Sequence, residues 1–253
     1  MARVRTSARH WQTRLAASRY DHAFYASPRE RFMFDARKSS LLPNVVRSDS
    51  ALPAPTDDAP TVLCVGTMWY PPNRDGIEWF LECCWPRITE RCPDLVLRIV
   101  GAAPPLMRAG WERAVRTQAP GPVDDLRSEY ARARFTIAPI RFGGGTQIKF
   151  LESAAYARAC VATRFVVSAF ADDFRDGEAT LIADDAAEMV EKCVALATDA
   201  PKRDAIAARA QQIVAQRYTV ERFEASVHEA VQPLLLSPPG PVRRPSGSAL
   251  RQT

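Results

Sequence analysis

Arg141–Thr163 reads RFGGGTQIKFLESAAYARACVAT, three consecutive glycines set directly before a segment whose apolar residues recur at helical spacing. Glycine loses more backbone freedom on folding than any other residue, so such a run is costly unless bare backbone is needed. Upstream lies Phe135–Pro139 (FTIAP), an apolar run of strand length, and downstream Ala159–Thr163 (ACVAT) is another. Strand, glycine loop, helix and strand in that order form the repeating unit of a parallel sheet.

Outward from this unit the pattern repeats. Thr61–Gly66 (TVLCVG) and Leu95–Gly101 (LVLRIVG) are short apolar runs that end in glycine, and IEWFLECCWPRI is helical in spacing after the turn WYPPNRDG. Further helical patterns cover 104–117, 124–133, 146–157, 184–198 and 202–216. The fold class expected is α/β, a Rossmann-like parallel sheet with helices on both faces. Such sheets bind ligands beyond the carboxyl ends of their strands.

Gly143–Gly145 follow a strand, so they fall at that edge. Thr146 is read as the cap of a helix whose Ile148, Phe150, Leu151 and Ala155 face inward. Unshielded N–H groups at a helix start attract an anion, and the dipole adds about half a positive charge. Lys149 sits in the first turn and Glu152 three residues on, along one face. A cation and a carboxylate so placed suit a ligand with phosphate and hydroxyl groups, such as a nucleotide diphosphate. A tight turn with a surface ion pair is the alternative. A dinucleotide GxGxxG would need glycine where Ile148 stands, and the GK[ST] of a P-loop is absent.

The six cysteines show no CxxC spacing and sit mostly in apolar segments, which reads as buried thiols in a reducing compartment. No apolar run approaches the roughly 18 residues of a membrane span, and the N-terminus lacks a signal-peptide core. A cytoplasmic location is expected. Residues 1–50 carry ten Lys/Arg against four Asp/Glu. This basic edge is read as a solvated surface, with at most peripheral membrane contact and no nucleic-acid partner. His10, His22 and His228 are the only histidines, none in the expected cleft, which argues against Ser/His/Asp or Cys/His catalysis. No Asp, His or Cys cluster has metal-ligand spacing. Asp124–Asp125 and Asp184–Asp185 read as helix N-caps, and Trp69, Trp79, Trp85 and Trp111 as mostly core.

Taken together, these stretches resemble the nucleotide-sugar-binding half of retaining glycosyltransferases of family 4, whose GT-B fold sets two Rossmann-like domains around a cleft. The likeness is to the subgroup with a GGGT-(R/Q)-x-K-x-x-E motif. VGTMWYPPNRDGIEWF resembles its opening strand and Y-P-P-N turn, LRIVGAAPP its second strand, and PGPVDDLRSEYARARFTIAPIRFGGGTQIKFLE its base-to-phosphate block. PKRDAIAARAQQIVAQRYTVERF resembles the closing helices, and the likeness covers about residues 20–236.

The resemblance implies roles by position. Gly143, Gly144, Gly145, Thr146, Gln147 and Lys149 would hold the diphosphate, and Glu152 the ribose hydroxyls. Pro122 and Val123 would lie against the base, and Gly66 and Thr67 would face the phosphates or sugar. Trp69 would be core or would border the sugar. The wider family's E-x7-E has Gly144 where its first glutamate stands, and Gln147 replaces an arginine common in relatives. No catalytic residue is assigned. The donor is a substrate, so no cofactor and no metal are expected.

By this likeness residues 1–50 are a remnant of the acceptor-side domain, 51–60 a linker, 61–217 the Rossmann-like domain, 218–236 a C-terminal helix and 237–253 a disordered tail. The implied function is retaining, hexosyltransferase-type transfer from a nucleotide-diphosphate sugar to a glycan or lipid-linked acceptor in cell-surface polysaccharide synthesis. The alternative is a donor-binding module or inactive truncated remnant that needs a separate acceptor domain. Little transfer by the isolated chain is expected. Phe24, Tyr25, Phe32, Phe34 and Leu41 should be exposed, so that residues 1–50 self-associate or pair with another protein.

Overall fold

The computed structural model describes residues 17, 20–33, 38–46, 52–55, 59–170 and 173–236. The six-stranded parallel sheet is built from β3 (Thr61–Val65), β4 (Val96–Val100), β5 (Thr117–Gly121), β6 (Ala133–Ala138), β7 (Cys160–Thr163) and β8 (Leu181–Ala183). Before it, β1 (Ala23–Tyr25) and β2 (Ser39–Leu41) form a separate parallel pair around a 3₁₀ turn, Pro28–Met33.

Alternation along each strand fills both faces, as a sheet covered twice requires. Val62 and Cys64, Phe135 and Ile137, Val161, and Leu181 and Ala183 join one core with Phe80, Trp85, Met189 and Leu196. Leu63 turns the other way, to Val100 and Tyr130. Ala138, Cys160, Ala162 and Ile182 pack with Phe150, Leu151, Val166 and Val214. The helices are α1 (Pro71–Cys83), α2 (Trp85–Arg91), α3 (Pro105–Trp111), α4 (Leu126–Arg132), α5 (Ile148–Ala155), α6 (Arg164–Val167), α7 (Ala186–Thr198), α8 (Ala200–Arg217) and α9 (Val220–Leu236).

Several expectations are corrected. The turn WYPPNRDG is already helix from Pro71, because two prolines at the first helical positions preset the backbone. The pattern at 104–117 is helical only to Trp111, and Thr117–Gly121 is an edge strand, where Pro120 needs no ladder N–H. Residues 20–46 give strand, 3₁₀ turn and strand among the described residues. Asp125 and Asp185 do cap α4 and α7, accepting from Arg127 N–H and Glu188 N–H. The expected tail, 237–253, lies outside the described residues, as does Phe34.

The sheet order is β5-β4-β3-β6-β7-β8. The chain runs outward from β3 to one edge, then returns to β6 and runs outward to the other. The order therefore reverses between β3 and β6, and the crevice at their carboxyl ends is where an open α/β sheet takes its ligand.

Candidate functional site

β3 exits through Gly66–Thr67, and β6 through Pro139 toward the three glycines. The approach of backbones here needs glycine. A Cβ on Gly101, at φ +138°, would lie 2.0 Å from the Gly66 carbonyl, and one on Gly76 would lie 2.6 Å from the Pro139 carbonyl. The second contact seats the start of α1 on the β6 exit.

That seating brings Tyr70 and Asn73 to the glycine loop. The Tyr70 hydroxyl accepts from the Gly144 N–H at 3.2 Å. Buried Asn73 donates to the Thr67 carbonyl at 2.8 Å and accepts from Lys149 Nζ at 2.6 Å. A Cβ on Gly66 would meet Lys149 Nζ at 2.9 Å. Gly66, Thr67 and Lys149 are thus one cluster, and Asn73 joins them. Among the described residues no carboxylate pairs with Lys149, and the N–H groups of Gly145 and Thr146 donate no hydrogen bond. Desolvation lowers the Lys149 ammonium from its usual range.

One turn on, desolvation raises the Glu152 carboxyl, against weaker opposition from Tyr130 and Lys149. The Tyr130 hydroxyl lies 3.4 Å from Glu152 Oε2, long for an O–H···O bond. Tyr130 stacks on Tyr156 at 4.5 Å between centroids. Glu152 and Tyr156 line a hollow of about 260 Å³ with Leu126, Ile148 and Val45. Val123 packs beside Tyr130 at the end of β5, and Pro122 is exposed.

Other placements differ from expectation. Gln147, 5% exposed, occupies the N-cap position without a side-chain cap bond, so Thr146 does not cap the helix. Thr146 turns instead to a cavity of about 280 Å³ that it lines with Pro28, Phe170 and Tyr218. Ile148 is 46% exposed and faces the Glu152 hollow, while Phe150, Leu151 and Ala155 are buried as expected. Trp85 and Trp111 are core, but Trp69 is 66% exposed in the loop before α1. All six cysteines are free, and five are buried. Phe24 and Leu41 are exposed, whereas Tyr25 is half-buried.

Tyr70, Asn73, Tyr130 and Tyr156 carry no role in the sequence reading. Only the YPPN stretch offers a signal, since Asn73 falls in the first turn of a helix that opens beside the β3 exit.

No curated protein sequence matches the chain. Solved structures do match in fold: TarM (TM-score 0.74, 12% identity, covering 88% of this chain and 46% of that one); Anabaena HepE in complex with UDP (0.71, 14%, 88% and 68%); and sucrose-phosphate synthase from Thermosynechococcus elongatus (0.72, 17%, 90% and 62%). The chain therefore spans about half the length of TarM. It shares with these proteins the α/β arrangement of a parallel sheet flanked by helices. Residues 59–199, more than half of the 253, match the family described as Glycosyl transferases group 1, and the chain belongs to that family.

Proposed function

We propose that the chain binds a nucleotide-diphosphate sugar and supports retaining, hexosyltransferase-type transfer to a glycan or lipid-linked acceptor in cell-surface polysaccharide synthesis. The observation that carries the reading is Lys149: a half-buried ammonium at a switch-point crevice, held by a neutral amide and, among the described residues, unpaired by a carboxylate, on the helix that follows a loop whose Gly145 and Thr146 N–H groups donate no hydrogen bond. An ion so placed gains most from an anionic ligand. HepE has been solved with UDP and with UDP-glucose, and TarM from S. aureus with UDP. WaaG, another structural neighbour, is involved in lipopolysaccharide biosynthesis.

In this reading Gly143–Gly145, Thr146 and Lys149 hold the diphosphate, with Gln147 shaping the helix start. Glu152 takes the ribose hydroxyls, Pro122 and Val123 border the base, and Gly66 and Thr67 face the phosphates or sugar. When the anomeric C–O bond breaks, negative charge grows on the leaving diphosphate. Lys149 and the loop N–H groups stabilise that growth, which is the contribution this chain makes to the barrier.

A second reading is a donor-binding module completed by an acceptor-side domain on another chain. The exposed Phe24 on β1 and Leu41 on β2 favour it. Titration calorimetry with UDP, uridine and UDP-glucose tests the common core of both: UDP and UDP-glucose should bind, and uridine more weakly. Equal affinity for UDP and uridine would remove the diphosphate site.

A further inference from the structure

The glycine loop has few tethers of its own. Ideal Cβ positions on Gly144 and Gly145 meet nothing within 4 Å, so no packing holds this part of the loop. Tyr70 holds one side through the Gly144 N–H. The other side is held from 116 residues away: Arg29, in the 3₁₀ turn Pro28–Met33, donates Nη2 to the Gly145 carbonyl at 3.3 Å. Its Nη1 donates to the Phe165 carbonyl at 2.9 Å, and its guanidinium lies over the Phe165 ring, 4.1 Å from the centroid. Among the described residues Arg29 forms no ion pair.

We infer that Arg29 is a positioning residue of the donor site, bridging the β6 and β7 exits so that the glycine loop is set before the diphosphate arrives; this rests on the function proposed above. The peptide unit is planar and trans, so its N–H points opposite to its carbonyl. By holding the Gly145 carbonyl, Arg29 fixes the direction of the Thr146 N–H, which donates no hydrogen bond among the described residues. A run of three glycines otherwise has to be ordered by the ligand, at a cost to affinity. A planar guanidinium can serve two carbonyls at once while stacked on a ring, which a lysine ammonium on its flexible stem does not reproduce. The N-terminal segment therefore tunes donor affinity without a contact to the base.

The test measures UDP and uridine binding by calorimetry, with melting temperature, for Arg29→Ala and Arg29→Lys. Both variants should bind UDP about 10-fold more weakly, the scale of one lost hydrogen bond to a charged group, with uridine unchanged. Wild-type UDP affinity in Arg29→Ala would overturn the inference. So would full rescue by Arg29→Lys, which would make charge and not the two-carbonyl bridge the active property. Should Arg29→Ala fail to fold, Phe165→Leu removes the ring beneath the guanidinium and should weaken UDP in the same direction; unchanged UDP binding there counts against the inference. Lys149→Ala separates the two claims. If it leaves UDP affinity intact, the donor-site reading fails, whereas a loss there with none at Arg29 overturns the positioning role alone.

Discussion

Lys149 Nζ and Asn73 Oδ1, 76 residues apart in sequence, meet at 2.6 Å, while the same asparagine's amide holds the Thr67 carbonyl. The ammonium is therefore placed by a dipole instead of a counter-ion. Its charge is oriented but not neutralised, which is the state an anion site needs in its empty form.

Removing that charge should be selective. Lys149→Ala is expected to weaken UDP binding roughly 10- to 100-fold, from a charge-assisted contact of about 1.5–3 kcal/mol. Uridine, which lacks phosphate, should bind as before. Calorimetric titration of both ligands checks this, and equal losses for the two would show that the lysine is only structural.

Glu152 should trade stability for binding. Burial raises its folded-state pKa, so its contribution to stability is full below the unfolded value and is lost as pH rises through the folded one. At neutral pH the half-buried carboxylate is a cost, and Glu152→Gln should raise the melting temperature. The same change should weaken UDP, because the charge strengthens bonds to the two ribose hydroxyls. A 2′,3′-dideoxy analogue should bind wild type and variant alike. A variant that melts lower, or binds UDP normally, contradicts the assignment.

The affinity for UDP should fall early on the alkaline side. Desolvation lowers the Lys149 pKa in the free protein, and a bound diphosphate favours the charged form. Affinity is thus greatest below the free-state pKa and declines as pH passes it, short of the ordinary lysine value of about 10.4. In the unliganded protein the unfolded chain holds more protons across that window, so stability rises with pH there. Lys149→Arg, charged throughout, should flatten the alkaline fall in a pH series of UDP titrations. Identical profiles for the two proteins would place the titration elsewhere.

Two glycines a few ångströms apart should respond differently. A Cβ on Gly101 would strike the Gly66 backbone at 2.0 Å and sits at φ +138°, so Gly101→Ala is expected to cost more than about 3 kcal/mol or to prevent folding. A Cβ on Gly66 would instead meet side chains, the movable end of Lys149 at 2.9 Å and the Asn73 amide nitrogen at 3.0 Å. Gly66→Ala should fold, melt within a few degrees of wild type, and lose UDP affinity by displacing the ammonium. Melting curves and titrations of the pair distinguish scaffold from site.

The parts of the fold legible in the sequence are those with long apolar runs. TVLCV, LVLRIV, FTIA and ACVAT are strands because their side chains are buried on both faces. TQAPG escaped because an edge strand alternates and tolerates proline, and LIA because three residues carry no period. At the site, Gly143–Gly145, Lys149 and Glu152 stand close in sequence on one loop and helix, so their spacing announces them. Tyr70, Asn73 and Arg29 reach the same loop only through the tertiary fold, from 74, 76 and 116 residues away, and no spacing encodes such a meeting.

The reversal between β3 and β6 has a kinetic meaning. β3–β5 and β6–β8 are each runs of consecutive strands that pair with near neighbours in the chain, and within the sheet only the β3–β6 ladder joins them. That seam is the most non-local pairing of the sheet, and distant pairings form late because loop closure precedes their reward. The crevice lies directly over the seam, so it is expected to form late in assembly and to open early when the halves part. A ligand spanning it acts as a staple, and its mark is slowed amide exchange along Val62–Leu63 and Phe135–Thr136, where the two halves are joined.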